Sequence, residues 1–247
     1  MHKIVSITLF SFLILFLILV GFFSSKKTEG EVLRTVDLQG CNLLSKSEYL
    51  IFANINTERD LRKYSLSSLR ERFLQHPYVG NASVLIDVDK KVYITIEEKS
   101  FEAVALLHKQ VCLISSQNEI IPILPNTEVL DFPVLTNLSE NSVEKEIERN
   151  RDVQRAFTII RSARKMSDNL SQSISEINLH NGGDITLSLL HGTSVIFLGK
   201  KNLTEKIYTL DALIKQIGNR ISLANTNYID LRYAGNIFIG TDENAGI

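Results

Sequence analysis

The first charge-free run of the chain, Ile4 to Phe23, is twenty residues long. As a helix rising about 1.5 Å per residue it covers about 30 Å, the thickness of a bilayer's hydrocarbon core. Its polar members are Ser6, Thr8 and Ser11, whose hydroxyls can bond back to their own helix. The run exceeds the roughly 7–15 apolar residues of a secretory signal. Leu19, Phe22 and Phe23 also stand where cleavage needs a small residue. The pattern predicts an uncleaved transmembrane helix over 4–23, with residues 1–3 as a short head.

Beyond a polar tether at 24–31 the pattern becomes amphipathic. Residues 33–38 alternate as a strand closed by Gly40. Ser45 with Glu48 reads as a capping box opening a helix to about Ile55. A second helix begins near Ser65, with Leu66, Leu69 and Phe73 on one face, and His76-Pro77 stops it. Residues 83–87 and 91–97 form a hairpin around Val88-Asp89-Lys90, with Val92, Ile94 and Ile96 on one side. This predicts a β-α-α-β-β domain over 32–100, two helices covering a three-stranded sheet.

A second domain is expected over 101–240. It starts with short strands at 103–107, 110–114 and 119–124, where Pro122 suits an edge. Another extended piece follows at 131–135. A long helix is predicted from Ser142 to about Met166; its charged start, Glu144 to Asp152, reads as a solvated face and Val153, Phe157 and Ile160 as its core contacts. A meander follows at 174–181, 185–190 and 194–198, turning at Asn181-Gly182-Gly183-Asp184 and His191-Gly192. Leu203 to Ile217 is an amphipathic helix stopped by Gly218. Strands at 228–233 and 237–239 come last, before a flexible tail at 241–247. The fold class is α+β: a transmembrane helix, a small β-α-α-β-β domain, and a mixed, mainly antiparallel β domain with two helices.

Charge adds an exclusion. With 27 basic and 28 acidic residues the formal net charge is −1, against the basic surface of a nucleic-acid binder. Cys41 and Cys112 are too few for a disulfide framework and read as two free, mostly buried thiols. The histidines, His2, His76, His108, His180 and His191, are isolated and read as surface or turn residues; none has the i, i+4 spacing of a zinc helix. Asp184 and Asp230 flank strands without a suggested partner carboxylate. Ser162-Ala163-Arg164-Lys165 matches an S-x-x-K pattern but lacks its companion motifs. No catalytic, metal or cofactor-binding constellation emerges.

Three stretches carry a resemblance to a known family. The first is Val36-Asp37-Leu38-Gln39-Gly40 with its capped helix. The second runs from His76-Pro77-Tyr78-Val79 through Ala82-Ser83-Val84 to Val92-Tyr93-Ile94-Thr95-Ile96-Glu97-Glu98. The third is Val195-Ile196-Phe197-Leu198-Gly199, the helix with Lys206, and Tyr228-Ile229-Asp230-Leu231-Arg232-Tyr233. Together they resemble the bacterial division proteins of the FtsQ/DivIB family, in which a single-span anchor carries a POTRA domain and a β domain. The resemblance implies that the head lies in the cytoplasm and the body outside the cytoplasmic membrane, enriched at the division septum.

It also implies a non-catalytic scaffold of the divisome that needs no cofactor. Such a scaffold holds small coiled-coil membrane partners of the FtsB/DivIC and FtsL types and helps to control septal peptidoglycan synthesis. The rival classes are a cell-wall enzyme, for which acid, base, nucleophile and metal residues are missing, and a POTRA-type assembly factor. Carried over by position, Arg232, Tyr233, Ala234, Gly235, Asn236, Ile237 and Phe238 would bind the partner. Val84 and Leu85 would serve septal recruitment through the POTRA domain. The last strands, within Tyr228 to Ile239, come before a free tail, and a terminal strand with no successor suggests an open sheet edge.

Overall fold

A computed structural model describes residues 36–55, 58–61, 63–107, 109–128, 131–138, 150–190, 194–217 and 226–241. The expected head, span and tether, the helix start at Ser142, the His191-Gly192 turn and the Gly218 stop lie outside the described residues, as does the tail beyond Thr241. None of the described helices is long and apolar enough to cross a membrane.

The described residues form a three-stranded and a nine-stranded sheet. The first comprises β1 (Val36–Gln39), β2 (Val79–Ile86) and β3 (Val92–Glu98), in the order β1-β3-β2. Its helices are α1 (Lys46–Phe52), α2 (Glu58–Leu61) and α3 (Leu66–Leu74); α2 is one short helix more than the sequence suggested. Ser45 and Glu48 form the expected capping box at the start of α1. The Glu48 carboxylate accepts the Ser45 N–H at 3.2 Å, and the Ser45 hydroxyl also donates to that carboxylate, at 3.0 Å. At α3 the Ser65 hydroxyl accepts the Ser68 N–H at 3.2 Å. Val92, Ile94 and Ile96 are buried under the helices with Leu69 and Phe73, as their alternation required. Gly40 closes β1 at φ +87°, and a Cβ there would sit 1.9 Å from the Ile96 carbonyl oxygen, so no side chain fits.

The Glu98 carboxylate then ties the end of β3 to the start of α1. Its Oε1 accepts the Asn42 and Leu43 N–H groups, both at 2.9 Å, and the Tyr49 hydroxyl at 2.5 Å.

The larger sheet has the order β12-β11-β10-β9-β8-β7-β4-β5-β6. Its strands are β4 (Phe101–Leu107), β5 (Gln110–Ser115), β6 (Ile120–Pro122), β7 (Val134–Thr136), β8 (Ile174–Asn178), β9 (Ile185–Leu189), β10 (Val195–Gly199), β11 (Thr226–Asp230) and β12 (Phe238–Thr241). Pro122 does sit in an edge strand. Pairings β4–β7, β7–β8 and β10–β11 are parallel and the rest antiparallel. Helices α4 (Arg151–Met166), α5 (Asp168–Ser173) and α6 (Leu203–Ile217) belong to this half.

Four expectations are corrected here. The long helix does not run from Ser142 through Asn150. Asn150 is its N-cap, extended at φ −70° and ψ 109°, and its side chain accepts the Asp152 and Val153 N–H groups. A third helix, α5, follows in place of a direct passage to strand, because the Ser167 hydroxyl caps it by accepting the Leu170 N–H. The strand expected at 228–233 ends at Asp230, because the Asp230 side chain captures the next-but-one backbone N–H, that of Arg232. Thr241, assigned to the tail, pairs with Thr226 in the sheet.

Strand β4 is buried on both faces at its beginning. Ala103, Ala105 and Leu107 face α4, packing with Val153, Ala156, Phe157 and Ile160. Val104 and Leu113 instead join the core of the first sheet, together with Phe101 and Ile121. The pairing slips by a bulge between Phe101 and Ala103. The bulge turns Phe101 towards the first core and Glu102 towards α4, where Arg161 and Arg164 each meet its carboxylate at 3.0 Å. The loop after β6 adds a second tie, since the Tyr78 hydroxyl accepts the Leu124 N–H at 2.8 Å and lies 2.9 Å from the Thr127 hydroxyl.

His76 follows α3 as a turn residue, but it is not on the surface: it is 3% exposed. Its ring packs against Tyr49, Phe52 and Tyr78, and its Nδ1 accepts the Tyr78 N–H at 3.1 Å. Burial pushes the imidazole down to about 4. The unfolded chain holds this proton at about 6.5. Between the two values unfolding takes up a proton, so this contribution is complete above the unfolded value and is lost as pH falls. We expect stability to drop by up to about 3 kcal/mol between about pH 6.5 and 4 from this group. Urea titrations of the wild type and His76→Gln across that range check it: the variant should lose the corresponding part of the slope.

Candidate docking edge

Where β11 ends, the chain makes a turn at 231–237 and returns as β12, one of the two end strands of the nine. The turn is pinned at its start. Leu231 is buried, and its N–H donates to the Phe197 carbonyl at 2.9 Å. The Arg232 N–H donates to Asp230 Oδ1 at 2.9 Å, while its Nη2 donates to Asp230 Oδ2 at 2.7 Å and its Nη1 to Asp184 at 3.3 Å. The guanidinium also lies 4.9 Å from the centre of the Phe197 ring. The Asn236 N–H donates to the Tyr233 carbonyl at 3.2 Å and closes the turn.

The two strand-flanking aspartates, Asp184 and Asp230, therefore converge on one arginine. Its hydrogen bonds hold the Asp230 carboxyl below the usual carboxylate range, and the same contacts push the arginine up. Lys206 of α6 completes the arrangement. Its ammonium donates to the Leu198 carbonyl at 2.6 Å, and burial pulls it down, partly offset by Asp184 and Asp230.

Past this anchor the chain is open. Residues 232–239 are all exposed. Tyr233 is 58% and Phe238 50% exposed, their rings edge to face with centres 5.5 Å apart. Ala234, Gly235 and Asn236 form the apex, and Ile237 leads into β12. β12 pairs with β11 through Ile239 opposite Ile229 and Phe238 opposite Asp230. Its other side has no strand beside it among the described residues. Gly240 lies opposite Tyr228, and a Cβ there would meet the Tyr228 ring at 2.2 Å, so glycine lets that ring lie across the edge strand. A groove of about 360 Å³ runs between the turn and the start of α6, lined on the helix side by Lys201, Asn202, Glu205, Lys206 and Thr209.

The structure thus brings Arg232 to Phe238 together as one turn and the start of one edge strand. It gives Arg232 internal partners that spacing did not suggest. Asp184, Phe197, Tyr228 and the start of α6 also belong to the site; Phe197, Tyr228 and Lys206 stood in the stretch that carries the family resemblance, and Asp184 was visible only as a residue flanking a strand. Val84 and Leu85 lie elsewhere, on β2 of the smaller sheet. Val84 is half-buried against the core, while Leu85 is 66% exposed, opposite Tyr93. Both cysteines are free thiols: Cys112 is buried and Cys41 half-buried, burial pushing the Cys41 thiol up to about 11. Among the described residues no three His, Cys, Asp or Glu side chains gather as a metal site.

Comparison with known proteins gives this geometry a context. The profile described as "Cell division protein FtsQ/DivIB, C-terminal" matches residues 105–232. The chain is similar to the cell division protein FtsQ of Geobacter sp. (strain M21), 22% identical over 210 residues, covering 84% of this chain and 75% of that protein. It is likewise similar to the FtsQ of Geotalea daltonii, 21% identical over 209 residues with 84% and 74% covered. For the FtsQ of Koribacter versatilis the identity is 18% over 211 residues, with 84% and 60% covered. The matched profile stops at Arg232, so the exposed apex and β12 lie just past it.

The anchor yields a test of its own. Asp230→Asn keeps the side-chain shape but removes the charge from the shorter arginine contacts. We expect faster amide exchange across 231–236, about ten-fold if the loss is near 1.4 kcal/mol, with helix α4 unchanged. In the wild type the same loosening should set in only as pH falls below the ordinary aspartate value of about 4.

Proposed function

This chain belongs to the FtsQ/DivIB family of cell-division proteins, and from that we propose that it is a non-catalytic divisome scaffold that docks a partner along β12. In this reading residues 4–23 anchor it in the cytoplasmic membrane with the head at 1–3 inside and the body outside. Residues 32–100 form a POTRA domain and 101–240 the partner-binding β domain. The partners are small coiled-coil membrane proteins of the FtsB/DivIC and FtsL types, and holding them contributes to the control of septal peptidoglycan synthesis.

One observation supports the docking reading: the sheet ends in β12, whose outer side has no neighbouring strand among the described residues and which lies beside the exposed rings of Tyr233 and Phe238 at a pinned turn. An extended partner segment can add there as a further strand, main-chain bonds giving affinity and side-chain contacts giving specificity. Tyr233 is the proposed anchor, amphipathic and held edge to face by Phe238. Arg232 acts from a guanidinium already fixed by Asp230, with the longer Asp184 contact the one a partner carboxylate would join. Ala234, Gly235 and Asn236 let a partner backbone approach, and Ile237 and Phe238 continue the ladder. The exposed Leu85 supports a separate recruitment surface on the POTRA domain; the half-buried Val84 would support it from beneath.

Two measurements test this. Tyr233→Ala should weaken capture of the FtsB/DivIC-type partner by about 2 kcal/mol or more, the loss expected of a hot-spot aromatic, with an unchanged thermal melt. Arg232→Glu should weaken capture and also lower the melt, because it breaks the turn's anchor. Normal capture by both folded variants would place docking elsewhere. Separately, Leu85→Lys should reduce septal localisation of a folded chain; full localisation would remove this strand from recruitment.

A further inference from the structure

The hairpin joining β2 to β3 stands at the end of the small sheet where the chain enters it. β1 and β3 run parallel with Val36 opposite Val92, and Ile86 of β2 faces Val92 from the other side. The first residue of β1 is therefore level with the base of the hairpin tip, Asp87 to Lys91. Twelve residues, 24–35, separate Val36 from the apolar run that ends at Phe23. Fully extended they reach at most about 40 Å, and as a flexible coil about 20 Å. If residues 4–23 span a bilayer, the tip and the bilayer surface are held close together.

The tip carries what such a surface takes up. Val88 is 99% exposed at the apex, where a polar turn residue would ordinarily stand. The turn does not require valine there. It closes through the Asp87 N–H to the Lys91 carbonyl at 3.0 Å, the Lys90 N–H to the Asp87 carbonyl at 3.1 Å, and the Lys91 N–H to the Asp87 carboxylate at 2.8 Å. The last bond turns one of the two acidic groups of the tip inward; Asp89 is the other. Ile86, exposed, stands behind the apex. On the flank the Lys91 ammonium lies 4.7 Å from the centre of the Tyr93 ring. A tyrosine and a lysine, each with an apolar body and a polar end, suit the headgroup level of a membrane.

We propose that the β2–β3 tip is a second membrane contact, with Val88 and Ile86 dipping into the headgroup boundary and Lys91 and Tyr93 lying at headgroup level. This rests on the reading of residues 4–23 as a span. A single valine binds a bilayer weakly, but a tether this short holds it near the surface at an effective concentration in the millimolar range. The contact would add a second point of attachment to the span and fix which way the body faces.

The chain contains no tryptophan, so Val88→Trp creates a single reporter, and Tyr208→Trp on α6 a control. Each full-length variant is reconstituted in vesicles containing lipid brominated near the headgroup end of its acyl chains. The proposal expects the tip reporter to lose at least half its fluorescence and the control on α6 to keep its own. Tryptophan itself favours the interface, so hydrogen exchange supplies an independent readout. In plain vesicles the 85–93 peptide of the unmodified chain should exchange several-fold more slowly than that of Val88→Asp. A chain that floats with the vesicles but shows an unquenched tip reporter, or equal exchange in the two chains, overturns the tip contact alone. The same holds for equal quenching at both positions, and an unquenched, protected tip would overturn the lipid contact in favour of a second copy of the chain covering the tip. A chain that fails to float overturns the span reading and the tip contact with it.

Discussion

The bulge at Phe101 and Glu102 is the constraint on which the arrangement of the two sheets depends. Between the end of β3 at Glu98 and the start of β4 at Phe101 stand only Lys99 and Ser100, so β4 has no linker in which to reorient. It must offer an apolar side chain to the first core and a carboxylate to α4 within one step. Regular alternation would do the reverse, aiming Glu102 at Tyr78 and Phe101 at the arginines. A buried carboxylate without a partner costs several kcal/mol. The extra residue of the bulge exchanges the two faces and lets Arg161 and Arg164 meet a carboxylate that is only 3% exposed.

The same principle operates at the other end of the large sheet. Asp230, Asp184 and Arg232 hold the first residues of a turn, and everything after them is left open. In the proposed docking this division would help. A pinned turn would present Tyr233 in one place and reduce the ordering that binding must supply. An open edge supplies the unpaired main-chain groups that a further strand needs.

The local readings from the sequence mostly correspond to elements, and for identifiable reasons. The β2–β3 hairpin, the buried face of β3, the meander of β8 to β10, and the apolar face of α6 come from periods of two and 3.6 residues, which are properties of the neighbouring chain. The misreadings arise where a single polar side chain intervenes. Asn150 caps α4 inside the stretch expected to be one continuous helix, and Ser167 begins an extra helix. Asp230 ends β11 early by taking the Arg232 N–H. These residues were visible, but whether a short polar side chain bonds its own backbone is decided by the surrounding packing.

The element types and the alternation that buries each strand's apolar face were legible in the sequence. Those depend on side-chain period and on residues adjacent in the chain. The tertiary structure alone shows that β7 lies between β4 and β8, that Asp184 crosses to Arg232, that His76 is buried, and that β12 rather than β11 is the last strand of the sheet among the described residues. Each of these joins residues far apart in the chain, and the closure of a long loop leaves no periodic trace in the sequence.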